Sequence, residues 1–185
     1  MTSSKSILAQ LADIILKALT SRTSRSPEKG SGRSSASRIP PEQDDAGQAQ
    51  GRATQRIDPD RIDGLRIAYT PSKDGAPDSG EIIWTWVPYE ENDGRGKDRP
   101  VLVIGRQSAD RVYAVRMTSK AHDRDRDYLS IGSGAWDSRG RESWVDIEQL
   151  YSVHEDGMRR EAAVLDRSLY DRVAAALTAR YGWGR

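Results

Sequence analysis

A compact antiparallel β domain closed by a C-terminal helix, behind a long disordered N-terminal tail, is the fold class this sequence predicts. Three observations carry the prediction. Of the twelve Trp and Tyr residues only Tyr69 precedes position 80. Short runs rich in β-branched and aromatic residues then recur at roughly ten-residue spacing, as in small barrels and sandwiches. The chain closes on an apolar stripe at helical spacing, ahead of a glycine.

The tail comes first. Hydrophobic residues make up 36% of the 185 positions and charged residues 31%, so part of the chain is not expected to build a core. Ser, Arg, Gly, Pro, Asp and Gln dominate residues 20–63, which are read as a disordered linker that buries too little apolar surface to offset chain entropy. Residues 64–79 are read as an extended segment against the domain, through Leu65, Ile67 and Tyr69. In residues 1–19, Ile7, Leu8, Leu11, Ile14, Ile15 and Leu19 recur at helical spacing. This amphipathic helix either packs on the domain or on itself, or docks on a partner or a membrane surface at the end of a long tether. It is shorter than the ~20 apolar residues that span a bilayer, and Asp13 interrupts any secretory core. A cytoplasmic protein is expected.

Residues 80–185 form the domain. Glu81 to Val87 is a strand ended by Pro88, followed by a polar loop from Tyr89 to Asp98 with Asn92-Asp93-Gly94 as turn former. Pro100 to Ile104 is an unbroken apolar run suited to a strand buried on both faces. Arg111–Thr118, Asp127–Ile131, Ser143–Ile147 and Gln149–Val153 complete the expected sheet. Leu169, Val173, Leu177 and Tyr181 define the helix, with Ser168 and Asp171 as its capping pair and Gly182 as its stop.

Composition excludes several chemistries. There is no cysteine, hence no disulfide, thiolate metal site or cysteine nucleophile. Two histidines, His122 and His154, are too few for a His-rich metal centre, and both read as surface residues. Basic residues number 29 and acidic ones 28, a near-balance that argues against a strongly basic nucleic-acid surface while allowing a local groove. The acidic run Asp123 to Asp127 has Tyr128 where a calcium loop needs glycine, and reads as a self-neutralising turn. Gly132-Ser133-Gly134 opens no helix and lacks a Lys-Ser/Thr pair. No cofactor is expected. One constellation remains: Lys97-Asp98-Arg99-Pro100 at the start of one strand and Met117-Thr118-Ser119-Lys120 at the end of the next. If the two pair antiparallel, a guanidinium and a hydroxyl meet at one end of the sheet and form a phosphate-binding corner; surface ion pairing is the alternative.

Taken in order, Gly80-Glu81-Ile82-Ile83-Trp84, a polar loop, Arg99-Pro100-Val101-Leu102-Val103 and Met117-Thr118-Ser119 resemble the PemK/MazF toxins of type II toxin–antitoxin systems. The pattern there is G-[DE]-[IV]-[IVY]-W, a loop, R-P-x-[LV]-[IV], then P-x-T-[ST], and the resemblance spans about residues 80–181. It implies a small SH3-like barrel with a C-terminal helix, working as a homodimer. It further implies metal-independent, sequence-selective cleavage of single-stranded RNA, leaving a 2′,3′-cyclic phosphate and a 5′-hydroxyl. By the same resemblance Arg99 stabilises the phosphorane and protonates the leaving oxygen, and Thr118 orients the scissile phosphate or the 2′-hydroxyl. Ser119, Lys120, Lys97 and Arg141 are implied RNA contacts, and Trp136 is a candidate platform for base stacking. The loop 89–98 would border the RNA groove and the place where a cognate antitoxin inserts.

The chain departs from the pattern in three places. The first loop has no histidine; Trp144-Val145-Asp146 keeps only the carboxylate of an Arg-x-Asp, with Arg141 the candidate replacement; and Arg116-Met117 stands where a proline is usual. Asp146 is carried as a third catalytic candidate. The alternative reading is a catalytically silent barrel that binds an antitoxin-like peptide and, with it, operator DNA; a barrel that inhibits a topoisomerase is a distant third.

Overall fold

The structure, a computed structural model, describes residues 51–91 and 93–184, the side chains of 160–162 set aside. The expected helix at 1–19 and residues 20–50 of the expected linker lie outside the described residues. Seven strands and one helix follow in chain order: β1 (Gln55–Ile57), β2 (Glu81–Pro88), β3 (Gly96–Arg106), β4 (Arg111–Thr118), β5 (Tyr128–Gly132), β6 (Ser143–His154), β7 (Met158–Val164) and α1 (Arg167–Tyr181). The sheet is antiparallel throughout its pairings, in the order β1-β6-β4-β3-β2-β7, with β5 also on β6.

The sheet is rolled. Thr54, leading into β1 at one end of that order, donates its hydroxyl to Thr85 Oγ1 on β2 at 2.8 Å, and Thr85 passes its own proton to the Gly157 carbonyl at 2.9 Å. Both threonines are buried, and the two bonds link the β1 end of the order to β2 and to the turn that leads into β7 at the other end. The mainly antiparallel fold with one C-terminal helix is therefore the one expected.

Two apolar clusters explain the unbroken run in β3. Leu102 and Ile104 face the cluster shared with Ile82, Tyr170, Val173 and Leu177, whereas Val101 and Val103 face Ile83, Val112, Tyr151 and Val153. A central strand covered on both faces needs no polar alternation. The helix lies on the first cluster, with Tyr170, Val173 and Leu177 buried. Leu177→Ala is expected to lower stability by about 2–5 kcal/mol, read as a lower urea midpoint at unchanged slope.

The helix ends where expected but starts differently. Gly182, at φ 70°, sits in the left-handed region and its N–H reaches the Thr178 carbonyl. The cap is Asp166, not Ser168: its carboxylate accepts from the Ser168 N–H at 2.8 Å and the Ser168 hydroxyl at 2.5 Å. Asp171 instead holds Arg167 at 3.1 Å. The Ser168 side chain and then its N–H hold the Asp166 carboxyl below its ordinary value. A depressed carboxylate contributes above its unfolded pKa and stops contributing as pH falls through the folded value. Asp166→Ala is thus expected to lower stability at neutral pH and to flatten the acid limb of a stability–pH curve.

The linker boundary is corrected. Residues 51–63 belong to the fold: β1 pairs with β6, Gln55 facing Ser152 and Ile57 facing Leu150. Arg111 clamps this segment, donating to the Gly51 carbonyl at 2.8 Å, the Ala53 carbonyl at 2.9 Å and Ser152 Oγ at 2.6 Å. Further on, Leu65 and Ile67 are buried in the main core. Trp183 Nε1 donates to the Ile62 carbonyl at 2.8 Å and Tyr69 Oη to the Leu165 carbonyl at 2.9 Å. The polar composition of 51–63 concealed this, because a few side-chain clamps and an exposed sheet edge order it rather than apolar content.

Two further differences concern the sheet. β6 is one strand, since the register shift between Val115 and Met117 on β4 absorbs the step near Glu148 that breaks its apolar pattern. β7 carries Arg159-Arg160-Glu161 and shows no strand pattern in sequence; it forms along β2, from Glu81↔Val164 to Thr85↔Met158. Glu81 itself is fully buried, and its carboxylate accepts from the N–H groups of Ser72 and Asp78, each at 3.0 Å. That motif residue organises a loop.

Candidate functional site

Antiparallel pairing brings the two predicted strand ends together. Val101 faces Arg116 across β3 and β4, and the same register carried two residues on sets Arg99 against Thr118. Side chains of directly opposed residues share a face. Both are half-buried and line one cleft of about 170 Å³ with Lys97, Ser119, Trp136 and Arg141. At ~30 Å³ per water in the liquid, that space suits one phosphate-sized group and not a whole nucleotide. A fixed cation beside a hydroxyl, at the mouth of strand-end backbone, can neutralise and orient an oxyanion.

The rim is less uniform than the resemblance implies. Lys97 and Ser119 are exposed at the cleft. Lys120 is exposed and does not line it; its backbone N–H donates to Thr118 Oγ1 at 3.1 Å and fixes that hydroxyl's turn. Trp136 is corrected: only 6% exposed, it packs in the main core and donates Nε1 to Ser143 Oγ at 3.0 Å. Gly134 has no room for a side chain, since a Cβ there would meet the Trp136 ring at 2.2 Å. The indole is therefore a wall of the cleft and offers no free face for a base.

Asp146 does not belong to this cleft. It is buried, and Oδ2 accepts from Arg116 Nη2 at 2.6 Å while Oδ1 accepts from the Glu148 N–H at 3.0 Å. Arg141, the expected replacement partner, pairs instead with Asp137 at 2.8 Å. The guanidinium beside Asp146 thus comes from the neighbouring strand. Burial pushes the Arg116 pKa down, and Asp146, with smaller help from nearby groups, outweighs it so that the net shift is upward. Arg116 also reaches Tyr128 Oη at 3.3 Å. Sequence reading noted Arg116 only as the residue in place of a proline. The available signal was a charge at the inward-facing position two before Thr118, in a strand otherwise apolar there, which demands a buried counter-charge.

Two carboxylates line the cleft. Asp98 lies 3.5 Å from Arg159 and Asp137 is held by Arg141. The backbone N–H of Arg139, then the Arg141 side chain, keep the Asp137 carboxyl below its ordinary value. The histidines sit elsewhere: His122 stacks on Tyr128 at 3.6 Å, and His154 accepts at Nδ1 from the Asp156 N–H at 3.0 Å. Among the described residues, no group of three or more His, Asp or Glu side chains converges as a metal site would require, and no helix is long and apolar enough to cross a membrane.

The loop is shorter than expected, for β3 begins at Gly96, so Lys97 and Asp98 are strand residues. Tyr89, Glu90 and Gly94 from this loop form one wall of a larger groove of about 1220 Å³, with Arg56, Trp86 and Tyr181 among its other lining residues.

A rolled antiparallel sheet carrying one C-terminal helix, with an arginine and a threonine lining a single small cleft, defines a small antiparallel barrel. The family follows from comparison: residues 78–180, more than half of the chain, match the model of the PemK-like, MazF-like toxin of type II toxin–antitoxin systems, and the chain belongs to that family. No curated protein matches the sequence. Among solved structures, a MazE–MazF complex from Deinococcus radiodurans is 19% identical with a TM-score of 0.45, over 59% of this chain and 99% of its own. A mycobacterial endoribonuclease solved with its cognate antitoxin is 16% identical with a TM-score of 0.46, over 60% and 99%. The Mycobacterium tuberculosis toxin MazF-mt6 is 14% identical with a TM-score of 0.42, over 57% and 99%.

Proposed function

We propose that this chain is the toxin of a type II toxin–antitoxin pair and cleaves single-stranded RNA without a metal ion, sequence-selectively. The observation that carries the reading is the shared cleft of Arg99 and Thr118, reachable from solvent and sized for one phosphodiester. In the proposed reaction the 2′-oxygen attacks phosphorus, the bond to the 5′-oxygen breaks, and a 2′,3′-cyclic phosphate and a 5′-hydroxyl result. The 2′-hydroxyl proton passes to a cleft carboxylate, Asp98 being the one beside Arg99 in sequence. Arg99 stabilises the phosphorane and supplies the proton of the leaving oxygen, and is recharged from solvent. Thr118 orients the phosphate. Because nucleophile and phosphorus belong to one nucleotide, positioning and charge stabilisation supply most of the acceleration.

Asp146 acts in this reading by fixing Arg116, not by touching the substrate. A homodimer, cytoplasmic location, restraint by a cognate antitoxin and operator DNA binding through that complex complete the proposal. Full-length protein is expected to cut single-stranded RNA in excess EDTA, leaving a 3′ fragment whose 5′-hydroxyl is labelled directly by polynucleotide kinase and a 5′ fragment whose cyclic-phosphate end resists 3′ extension. RNA left intact across diverse sequences would overturn it.

One observation favours the silent alternative: the cleft holds no histidine, and both its carboxylates are already ion-paired. A silent barrel would bind an antitoxin peptide tightly, cut no RNA and cause no growth arrest when overproduced.

A further inference from the structure

Beside the cleft lies a cluster that joins residues of the matched domain to one residue ahead of it. Arg56 stands on β1, ahead of the matched residues 78–180. Its Cα faces that of Tyr151. Tyr151 Oη donates to Gln149 Oε1 at 2.7 Å, and Gln149 Nε2 donates to Glu90 Oε1 at 2.9 Å. Glu90, on the exposed loop before β3, also sits 3.7 Å from Arg116 Nη1. The Arg116 fork is thus divided. Asp146 and Tyr128 occupy Nη2, and Nη1 is turned toward Glu90.

Charge describes the same arrangement. The Gln149 amide holds the Glu90 carboxyl below its ordinary range, and against partial burial Arg116, Arg56 and Arg99 pull it in the same direction. Among the described residues no salt bridge engages Arg56 or Arg99. The Arg116 guanidinium of β4 thus lies against the Glu90 carboxylate, and Glu90 and Arg56 of β1 line the same large groove.

We propose that Arg56 and Arg116 form a second backbone-phosphate subsite beside the Arg99–Thr118 cleft, and that the Glu90 carboxylate occupies it as a displaceable anion. The inference rests on the RNA reading above and extends it to residues of this chain's own N-terminal strand. A phosphate entering the groove replaces the Glu90 carboxylate on Arg116 Nη1 and gains charge-assisted hydrogen bonds from a guanidinium already oriented by Asp146. Gln149 and Tyr151 remain behind as neutral donors. Glu90 thereby sets a threshold: weakly bound strands compete with an intramolecular anion, and strands that reach both subsites displace it.

The test uses the full chain and two probes. The first is a fluorescein-labelled single-stranded oligodeoxynucleotide, which lacks the 2′-hydroxyl and is not cut, followed by anisotropy across a salt series. Glu90→Gln keeps the Gln149 contact but removes the charge, and is expected to tighten binding about two- to five-fold, the range of an exposed ion pair. Arg56→Gln is expected to weaken binding by a similar factor and to reduce the salt slope by about 0.7, one phosphate contact on a single strand. The second probe is inorganic phosphate, followed by ¹⁵N NMR of arginine side chains. In Glu90→Gln it is expected to move the Arg56 and Arg116 signals at lower concentration than in the parent.

Unchanged affinity in Glu90→Gln together with unmoved arginine signals would make the cluster a structural ion pair and overturn the subsite. Phosphate-shifted signals without oligonucleotide binding or RNA cleavage would instead overturn the RNA reading and leave an anion site with another occupant.

Discussion

Arg99→Ala is expected to slow RNA cleavage by ~10²–10³, the usual consequence of losing one positioned donor to a developing oxyanion. The loss falls on kcat with KM little changed, because Arg99 in this scheme acts on charge that appears only in the transition state. Arg99→Lys should recover only part of the rate: an ammonium keeps the charge but not the planar fork that spans two phosphate oxygens. Thr118→Ala is expected to give a loss of comparable size, with Thr118→Ser restoring most of it through the retained hydroxyl. Initial rates on a defined single-stranded RNA in excess EDTA measure all four. Full activity in both alanine variants would remove Arg99 and Thr118 from the chemistry, wherever the RNA binds.

Asp146→Ala is expected to have the largest effect on stability. Asp146 is only 1% exposed and its Arg116 partner 15%, so the variant strands a guanidinium in a poorly hydrated site. Breaking such a buried pair typically costs ~3–5 kcal/mol. Asp146→Asn, which still accepts the Glu148 N–H, should lose less. Replacing both partners by apolar residues of similar volume should recover much of the loss, since it removes the desolvated charge together with its counter-charge. Urea midpoints of the single and double variants settle this. A near-wild-type midpoint for Asp146→Ala would show that the pair is hydrated in solution. Wild-type cleavage by the double variant, once folded, would show that the Asp146–Arg116 pair serves stability and not the reaction.

The core of the fold was legible because its residues repeat a local rule. Val101–Ile104 reads as a doubly covered strand whatever its neighbours are, and Val173 and Leu177 mark the buried side of a helix by spacing alone. β7 was not legible, since Met158–Val164 is held by the backbone of β2 and not by its own side-chain pattern. β1 was hidden for a related reason: Arg111, remote in sequence, ties down a segment with little apolar content. Ser168 with Asp171 matches a capping box only loosely, and the helix instead starts earlier because the Asp166 carboxylate reaches the Ser168 N–H.

The candidate site divides along the same line. Arg99 and Thr118 could be paired from sequence because an antiparallel hairpin fixes which strand ends meet, and adjacent strands leave little freedom in register. Which guanidinium serves Asp146, whether Trp136 presents a face, and what Glu90 covers depend on contacts between strands distant in the chain. Periodicity and motif order are properties of a single segment, so the amino-acid sequence alone determined the strands other than β1 and β7, the helix, the resemblance to the family and the expectation that Arg99 and Thr118 meet at one end of a hairpin. Side-chain partnership across the rolled sheet is a property of several segments at once. Only the tertiary structure could decide that Arg116 neutralises Asp146, that Trp136 is a wall, and that the N-terminal strand brings Arg56 to the groove.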